Sequence, residues 1–238
     1  MKAMILAAGL GKRMQPLTLH TPKPLLSVGG KPLIVHHLER LRAAGCVEIV
    51  INLAHLGEKI ASALGSGERY GVRISYSRES EALETAGGII QALPLLGDEP
   101  FWVVNGDVWC DRPFTPLCLI PNCVANLLLV PNPEHHPQGD FVLDNQQAVS
   151  GCPESFLLRD KNPADNIDAS ASTFTFSGIS VLHPDLFRGY PPGRRALGPV
   201  LRDAMRQQQV MGSLYLGGWL DVGTPERLAE LDALLSAG

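Results

Sequence analysis

Residues 5–24 read ILAAGLGKRMQPLTLHTPKP, a short apolar strand followed by a glycine-containing, basic loop. Gly9 and Gly11 let the backbone bend so that several N–H groups can point into one concavity, which suits an anion. Arg13 and Lys23 add full positive charges. The stretch therefore predicts a strand that ends in a cradle for a polyphosphate.

Familiar phosphate-binding loops do not fit these residues. A Walker A loop requires Ser or Thr after Gly-Lys, whereas Arg13 follows Lys12 here. The dinucleotide fingerprint requires a third glycine where this chain has Met14. The apolar run over residues 3–8 is too short for a secretory signal. An ordinary strand-to-helix turn would use the same glycines, but the basic residues favour the anion cradle.

The composition indicates one globular domain over residues 1–238, because no linker-like segment divides the chain. Its 45% apolar and 18% charged residues suit a protein with a sizeable core. The net charge of −4 argues against a general nucleic-acid binder, and no apolar run is long enough to span a membrane. Five cysteines without a recognisable spacing predict buried free thiols in a reducing cytoplasm.

Strand and helix patterns alternate through the first 110 residues, which predicts a parallel sheet covered by helices on both faces. Strands are expected at 2–7, 47–53, 72–77 and 101–104, with helices at 31–44, 57–64 and 85–93. Later predictions are strands at 125–130 and 174–182, a hairpin turning at residues 145–146, a mobile loop over 153–172, and helices at 197–208 and 225–235. Ligands of such sheets lie beyond the carboxyl ends of the strands.

Two aspartates are candidate metal ligands. Asp107 follows an apolar strand and Gly106, and Asp221 precedes Gly223 and a predicted helix start. A simple turn explains the first equally well, and an acid placed at the helix dipole explains the second. Together with a polyphosphate on the same edge, the two carboxylates predict a shared Mg²⁺ site. Adjacent His135 and His136 lie between prolines and are expected in a loop, since neighbouring residues seldom aim at one ion.

A third signal is the acidic and glycine-rich stretch from residue 79 to residue 88. Gly87 and Gly88 would let a flat group lie close to the backbone. Glu79 or Glu81 would accept a hydrogen bond from the N3–H of a pyrimidine. A charged helix start accounts for these residues equally well.

These motifs resemble those of the sugar-1-phosphate nucleotidyltransferase family. Its members open with a glycine-rich segment ending in Pro-Leu-Thr and continue to Pro-Lys-Pro, as residues 6–18 and 22–24 do here. Further matches lie at residues 85–88, 106–107, 176–179 and 219–225, so the resemblance spans essentially the whole chain. It implies a three-layer α/β/α sandwich with a mixed, mostly parallel central sheet. Residues 1–110 would form the nucleotide-binding half and 111–238 the sugar-binding half.

Residue roles follow from the same resemblance. It implies catalytic roles for Arg13, Lys23 and Asp107, with Mg²⁺, or alternatively Mn²⁺, on Asp107 and Asp221. The nucleotide would contact Ala8, Gly9, Gly11, Lys12, Arg13, Lys23, Glu79 and Gly87, and the sugar would contact Asn105, Gly139, Asp140, Ser177 and Gly178. Relatives hold the sugar phosphate with a lysine of a Glu-Lys-Pro motif that this chain lacks, which leaves Lys161 or an arginine such as Arg202 for that role.

The implied activity is uridylyl transfer from UTP to a sugar 1-phosphate. Residues 131–141 and 221–228 look most like the uridylyltransferases that act on N-acetylmuramate 1-phosphate in bacterial cell-wall recycling. The alternatives are a mannose-1-phosphate guanylyltransferase, a glucose-1-phosphate uridylyl- or thymidylyltransferase, and a non-catalytic nucleotide-sugar sensor. We expect a cytoplasmic monomer or small homo-oligomer that has no nucleic-acid or membrane partner.

Overall fold

A mixed sheet runs through the centre of the protein. The computed structural model describes residues 1–115, 117–148, 152, 155–161 and 172–236, and the bounds below refer to that part of the chain. The strands are β1 (Ala3–Leu6), β2 (Ser27–Val28), β3 (Lys31–Pro32), β4 (Glu48–Leu53), β5 (Arg73–Arg78), β6 (Phe101–Asn105), β7 (Val108–Cys110), β8 (Ala125–Val130), β9 (Phe141–Ala148), β10 (Ser155–Asp160), β11 (Thr173–Leu182), β12 (Val210–Leu214) and β13 (Trp219–Asp221). The helices are α1 (Leu33–Ala43), α2 (Gly57–Leu64), α3 (Glu84–Leu96), α4 (Leu197–Arg206) and α5 (Pro225–Ser236).

Within the described residues the central sheet has nine strands in the order β5-β4-β1-β6-β11-β8-β12-β10-β9. Strands β5, β4, β1 and β6 are parallel, and their pairing brings Leu6 level with both Asn52 and Asn105. Strand β11 is antiparallel to β6 and β8, whereas β12 is parallel to β8. The carboxyl ends of four parallel strands therefore meet at one edge of the sheet.

Side chains of successive strand residues point to opposite faces, and each face has its own buried cluster. Ile5 of β1 belongs to a cluster with Leu38 of α1 and with residues of α2. Its neighbour Met4 belongs to a second cluster with Ile89 of α3 and Val200 of α4. Helices thus cover both faces, and the predicted α/β class with a mixed sheet is confirmed.

The second half of the chain differs from two sequence predictions. The hairpin predicted to turn at residues 145–146 is wrong, because β9 continues through them and pairs with β10, which returns antiparallel to it. Residues 155–160 of the predicted mobile loop form β10, whereas residues 153–154 and 162–171 lie outside the described residues. Backbone pairing with neighbouring strands overrides local turn propensity here.

The cysteine prediction is correct for Cys46, Cys110 and Cys123, which are free and buried. It is wrong for Cys118 and Cys152, which form a disulfide with their Cα atoms 6.0 Å apart. Their separation of 34 residues carries no signal, because only the fold brings them together.

No helix in the described part of the chain combines the length and apolarity needed to cross a lipid bilayer.

Candidate active site

The glycine loop after β1 is fixed by its own hydrogen bonds. Gly11 has a left-handed φ of +60°, and its carbonyl accepts bonds from Thr18 Oγ1 at 2.8 Å and from the Met14 amide at 2.9 Å. A Cβ on Gly9, in contrast, would meet no atom within 4 Å. Gly11 is therefore required for the turn, whereas Gly9 faces open space.

That open space belongs to a cavity of about 480 Å³ at the carboxyl edge of the parallel strands. The loop after β1, the ends of β4, β5 and β6, and the start of α3 all contribute to its wall. The predicted site residues in the wall are Ala8, Gly9, Gly11, Lys12, Arg13, Lys23, Glu79, Asn105 and Asp107. The fold thus brings the predicted cationic loop and one predicted metal carboxylate to a single cavity.

Lys23 and Asp107 form an ion pair in the cavity wall. Lys23 is only 8% exposed, and its Nζ lies 2.6 Å from Asp107 Oδ2. Just before the aspartate, the Gly106 amide donates a 2.9 Å bond to the Leu6 carbonyl, and a Cβ on Gly106 would lie 2.6 Å from that oxygen. A glycine is therefore needed where the chain turns from β6 to Asp107.

Asp221 lies in β13 of the small sheet of β7 and β13; it does not itself line the cavity, although Gly223 two residues later does. Asp221 pairs with Val108, and the Val222 amide donates a 2.7 Å bond to the Asp107 carbonyl. Asp221 Oδ1 lies 2.6 Å from Arg227 Nη1 and 3.0 Å from His135 Nε2. Backbone pairing therefore holds two residues that are far apart in the sequence next to each other, while each carboxylate has its own side-chain partners.

This donor set suits a magnesium ion that is shared with a substrate. Mg²⁺ usually binds one or two carboxylates and takes its remaining ligands from phosphates and water. No group of three or more His, Cys, Asp or Glu side chains that could hold a metal occurs among the residues described. Asp107 and Asp221 fit the shared kind of site rather than a site built by protein alone.

Glu79 is buried, and both of its carboxylate oxygens accept hydrogen bonds. Oε1 accepts from Asn52 Nδ2 at 2.7 Å, and Oε2 accepts from the Leu83 amide at 3.0 Å. Asn52 Oδ1 in turn accepts a 2.8 Å bond from the Ala7 amide, which links the end of β4 to that of β1. Glu81 is exposed and does not line the cavity. Of the two candidates, Glu79 is the acid at the cavity.

Gly87 does not line the cavity. Its amide donates a 3.1 Å bond to the Arg195 carbonyl, and a Cβ there would lie 2.3 Å from the Gly193 carbonyl. The glycine thus permits close approach of residues 193–195 to α3. This segment carries Arg194 into the cavity wall, where it pairs with Glu84 at 2.7 Å. Sequence reasoning missed Arg194, and its only signal was the basic pair it forms with Arg195.

The predicted sugar residues beside β6 meet at an irregularity in β11. Gly178 has a φ of +79°, and a Cβ there would lie 2.7 Å from Asn105 Nδ2. The Ser177 carbonyl accepts a 2.9 Å bond from Trp219 Nε1, next to β7. Asn105, Ser177 and Gly178 are therefore neighbours.

Gly139 and Asp140 precede β9. Asp140 Oδ2 accepts a 2.9 Å bond from the Phe176 amide, and His136 Nε2 lies 3.1 Å from Asp140 Oδ1. Lys161 Nζ donates to the Gly139 carbonyl. Arg202, the other candidate for the sugar phosphate, pairs instead with Asp160 at 3.1 Å. Lys161 is thus the candidate cation that contacts the predicted sugar residues.

The two adjacent histidines lie in a loop, as expected, yet each contacts a predicted site carboxylate. His135 reaches Asp221, and His136 reaches Asp140. Both contacts, and that of Arg227 with Asp221, were missed from the sequence. The sequence signal for these contacts was the pair His135-His136 with Asp140 four residues after His136.

Comparisons with known proteins place this chain in a family. The nucleotidyl transferase family matches residues 2–122. N-acetylmuramate alpha-1-phosphate uridylyltransferase of Neisseria meningitidis serogroup B is 52% identical, covering 100% of this chain and 99% of the relative. Mannose-1-phosphate guanyltransferase of Aspergillus fumigatus is 47% identical, over 95% of this chain but 62% of the relative.

Among solved structures, UDP-glucose pyrophosphorylase complexed with UDP-glucose superposes with a TM-score of 0.75 at 22% identity, covering 98% of this chain and 97% of that one. This likeness supports the fold. The family match and the full-length relative confirm the resemblance inferred from the sequence. This chain belongs to the nucleotidyl transferase family, and within it to the sugar-1-phosphate nucleotidyltransferases.

Proposed function

We propose that the protein transfers the uridylyl group of UTP to N-acetylmuramate 1-phosphate and releases pyrophosphate. The observation that carries the proposal is the single cavity in which Arg13, Lys23 and Asp107 converge beside the glycine loop. The full-length identity of 52% to a uridylyltransferase for N-acetylmuramate 1-phosphate supports this choice of substrates. We assign the reaction to the cytoplasm and to cell-wall recycling.

The reaction is a displacement at phosphorus. An oxygen of the sugar phosphate bonds to the α-phosphorus of UTP while the bond to the bridging oxygen of the pyrophosphate breaks. Both reactants are anions, so the protein must offset their repulsion and hold them in line. A phosphate monoester is already ionised at neutral pH, and the reaction therefore needs no general base.

The cations of the cavity have separate tasks in this proposal. Arg13 and the amides of residues 9–11, with Lys12 nearby, hold the departing pyrophosphate. Lys23, whose side chain is almost buried, stabilises the phosphates under attack. Arg194 enters the same wall from residues 193–195 and adds a further cation at the cavity.

Asp107 and Asp221 would hold a divalent cation, which we propose is Mg²⁺. When bound, such an ion offsets the charge that develops on the α-phosphate. The chain's own contribution is the backbone bond from Val222 to Asp107, which holds the segment that carries Asp221 beside Asp107.

The remaining predicted residues select base and sugar. Glu79 stands at the cavity end where the uracil would lie, and its two existing bonds fix the orientation of its carboxylate. The sugar would contact Asn105, Gly139, Asp140, Ser177 and Gly178. Lys161, which contacts the Gly139 carbonyl, would bind the sugar phosphate. Gly87 supports the nucleotide cavity indirectly, because it lets residues 193–195 pack against α3 and so places Arg194 in the cavity wall.

A pyrophosphate-release assay over four nucleoside triphosphates and several sugar 1-phosphates tests the proposal. We expect the highest rate with UTP and N-acetylmuramate 1-phosphate. A preference for GTP with mannose 1-phosphate would favour the guanylyltransferase alternative, which other relatives suggest. Absence of pyrophosphate with every pair would favour a non-catalytic sensor.

A further inference from the structure

Arg227 and His135 both contact one oxygen of the Asp221 carboxylate. Arg227 Nη1 lies 2.6 Å from Asp221 Oδ1, and His135 Nε2 lies 3.0 Å from the same oxygen. Asp221 Oδ2 has no hydrogen-bond partner among the residues that the structure describes. One carboxylate oxygen is therefore held by the protein, and the other is left available.

We propose that Arg227, supported by His135, is a positioning residue that presents Asp221 Oδ2 to the divalent cation. The inference rests on the proposed function, because that function requires the cation. Carboxylates that bind metals are commonly held by such partners, and removing a partner typically weakens metal binding about 10- to 100-fold.

The packing around Arg227 is that of a built slot rather than a surface ion pair. Its side chain is 16% exposed, whereas that of Arg206, which pairs with Asp203, is 72% exposed. A Cβ on Gly223 would lie 2.2 Å from Arg227 Nη2 and 3.0 Å from Asp221 Oδ2. The missing side chain at Gly223 thus makes room for the guanidinium beside the Asp221 carboxylate.

His135 closes the slot from the loop between β8 and β9. Its Nε2 lies 2.7 Å from Arg227 Nη1 and therefore faces both members of the ion pair. One ring nitrogen can either accept from the arginine or donate to the aspartate, and each choice restrains the pair. The loop that carries predicted sugar residues Gly139 and Asp140 is thereby tied to Asp221.

Metal binding should therefore weaken when Arg227 is replaced. The test titrates Mn²⁺ into enzyme saturated with a non-hydrolysable UTP analogue and follows the ion by electron paramagnetic resonance. Arg227→Met keeps the length and apolar stem, and we expect its apparent Mn²⁺ dissociation constant to rise about 10- to 100-fold. Arg227→Lys should recover part of the affinity, and Arg206→Met, the control, should bind Mn²⁺ like wild type.

Affinity for the UTP analogue without metal should stay within about twofold of wild type in all variants, because Arg227 acts on the carboxylate. His135→Ala changes an exposed side chain and should raise the same Mn²⁺ constant by a smaller factor, which keeps the test usable if Arg227→Met does not fold. Wild-type Mn²⁺ affinity in the folded variants, or tighter binding, would overturn the inference. Failure of the wild-type enzyme itself to bind Mn²⁺ would instead refute the metal in the proposed function.

Discussion

Lys23 Nζ lies 2.6 Å from Asp107 Oδ2, so the cation proposed for the phosphates is paired with the carboxylate proposed for the metal. The lysine side chain is 10% exposed and the aspartate side chain 38% exposed. Both residues line the cavity, so the pair is a partly buried ion pair and not one on the open surface. Each group thereby balances the other's charge in the protein without substrate. Binding of two anionic substrates and a cation would give both groups new partners.

Removing the Asp107 carboxylate should abolish most of the rate. We expect Asp107→Ala to lower kcat at least about 100-fold, the scale of one electrostatic stabiliser. Pyrophosphate release measures the rate, and circular dichroism checks the fold. Asp98→Ala, at an exposed position on the opposite edge of the sheet, is the control. Near wild-type turnover of folded Asp107→Ala would disprove the assignment.

Lys23 and Asp107 should act as a unit. Lys23→Met alone should also lower kcat about 100-fold, but the double variant with Asp107→Ala should be much less impaired than the product of the two losses. In the proposed reaction, Lys23 and the cation on Asp107 both offset the charge of the same α-phosphate, and residues that act on one charge give such non-additive effects. A double-mutant cycle on kcat measures the coupling, and fully multiplied losses would show that the two residues act independently.

Substitution of Gly9 and of Gly106 by alanine should affect different properties, nucleotide binding in the first case and stability in the second. Gly9→Ala places its Cβ in open space, so we expect wild-type thermal stability but a raised KM for UTP. Gly106→Ala forces a Cβ to 2.6 Å from the Leu6 carbonyl and should destabilise the protein by about 1–3 kcal/mol. Thermal unfolding and UTP saturation curves distinguish the two. A Gly9→Ala protein with unchanged KM would argue against nucleotide contact at this loop.

His37 should make the protein acid-sensitive. It is fully buried in α1, and burial, with Arg40 and His36 adding to it, lowers its pKa from 6.5 to about 4. The unfolded chain therefore takes up a proton at a higher pH than the folded protein. His37 therefore does not change the free energy of unfolding with pH above about 6.5. As the pH falls from 6.5 toward 4, protonation of the unfolded chain lowers that free energy by up to about 3 kcal/mol.

Urea unfolding between pH 4 and 7 checks this prediction. His37→Leu should lose less stability over that range than wild type, whereas a variant of the exposed His55 should behave like wild type. An equal acid loss in His37→Leu and wild type would contradict it.

The part of the site that residues 1–110 contribute could be predicted from local sequence patterns. Gly11 and Asp107 follow apolar runs, and parallel strands deliver such strand ends to one edge. At Gly87 the sequence indicates a close approach to the backbone but not its partner, which in the structure is the Gly193 carbonyl and not a group in the cavity.

The partners of Asp221 and the disulfide depend on tertiary structure. Arg227, six residues later, could be suspected, but His135 comes from a loop on another part of the chain. Strand β10 was missed because Ser155–Asp160 lies in polar surroundings and gains its partners from β9 and β12. Cys118 and Cys152 meet for the same reason, through folding rather than spacing.

The most direct test of the account compares kcat/KM for UTP with N-acetylmuramate 1-phosphate, UTP with N-acetylglucosamine 1-phosphate, and GTP with mannose 1-phosphate. Mass spectrometry of the products would identify the nucleotide sugar formed. We predict UDP-N-acetylmuramate as the main product, with the first pair at least about tenfold ahead of the others, a difference of about 1.4 kcal/mol. A GDP-sugar as the preferred product, or no nucleotide sugar from any pair, would contradict the account.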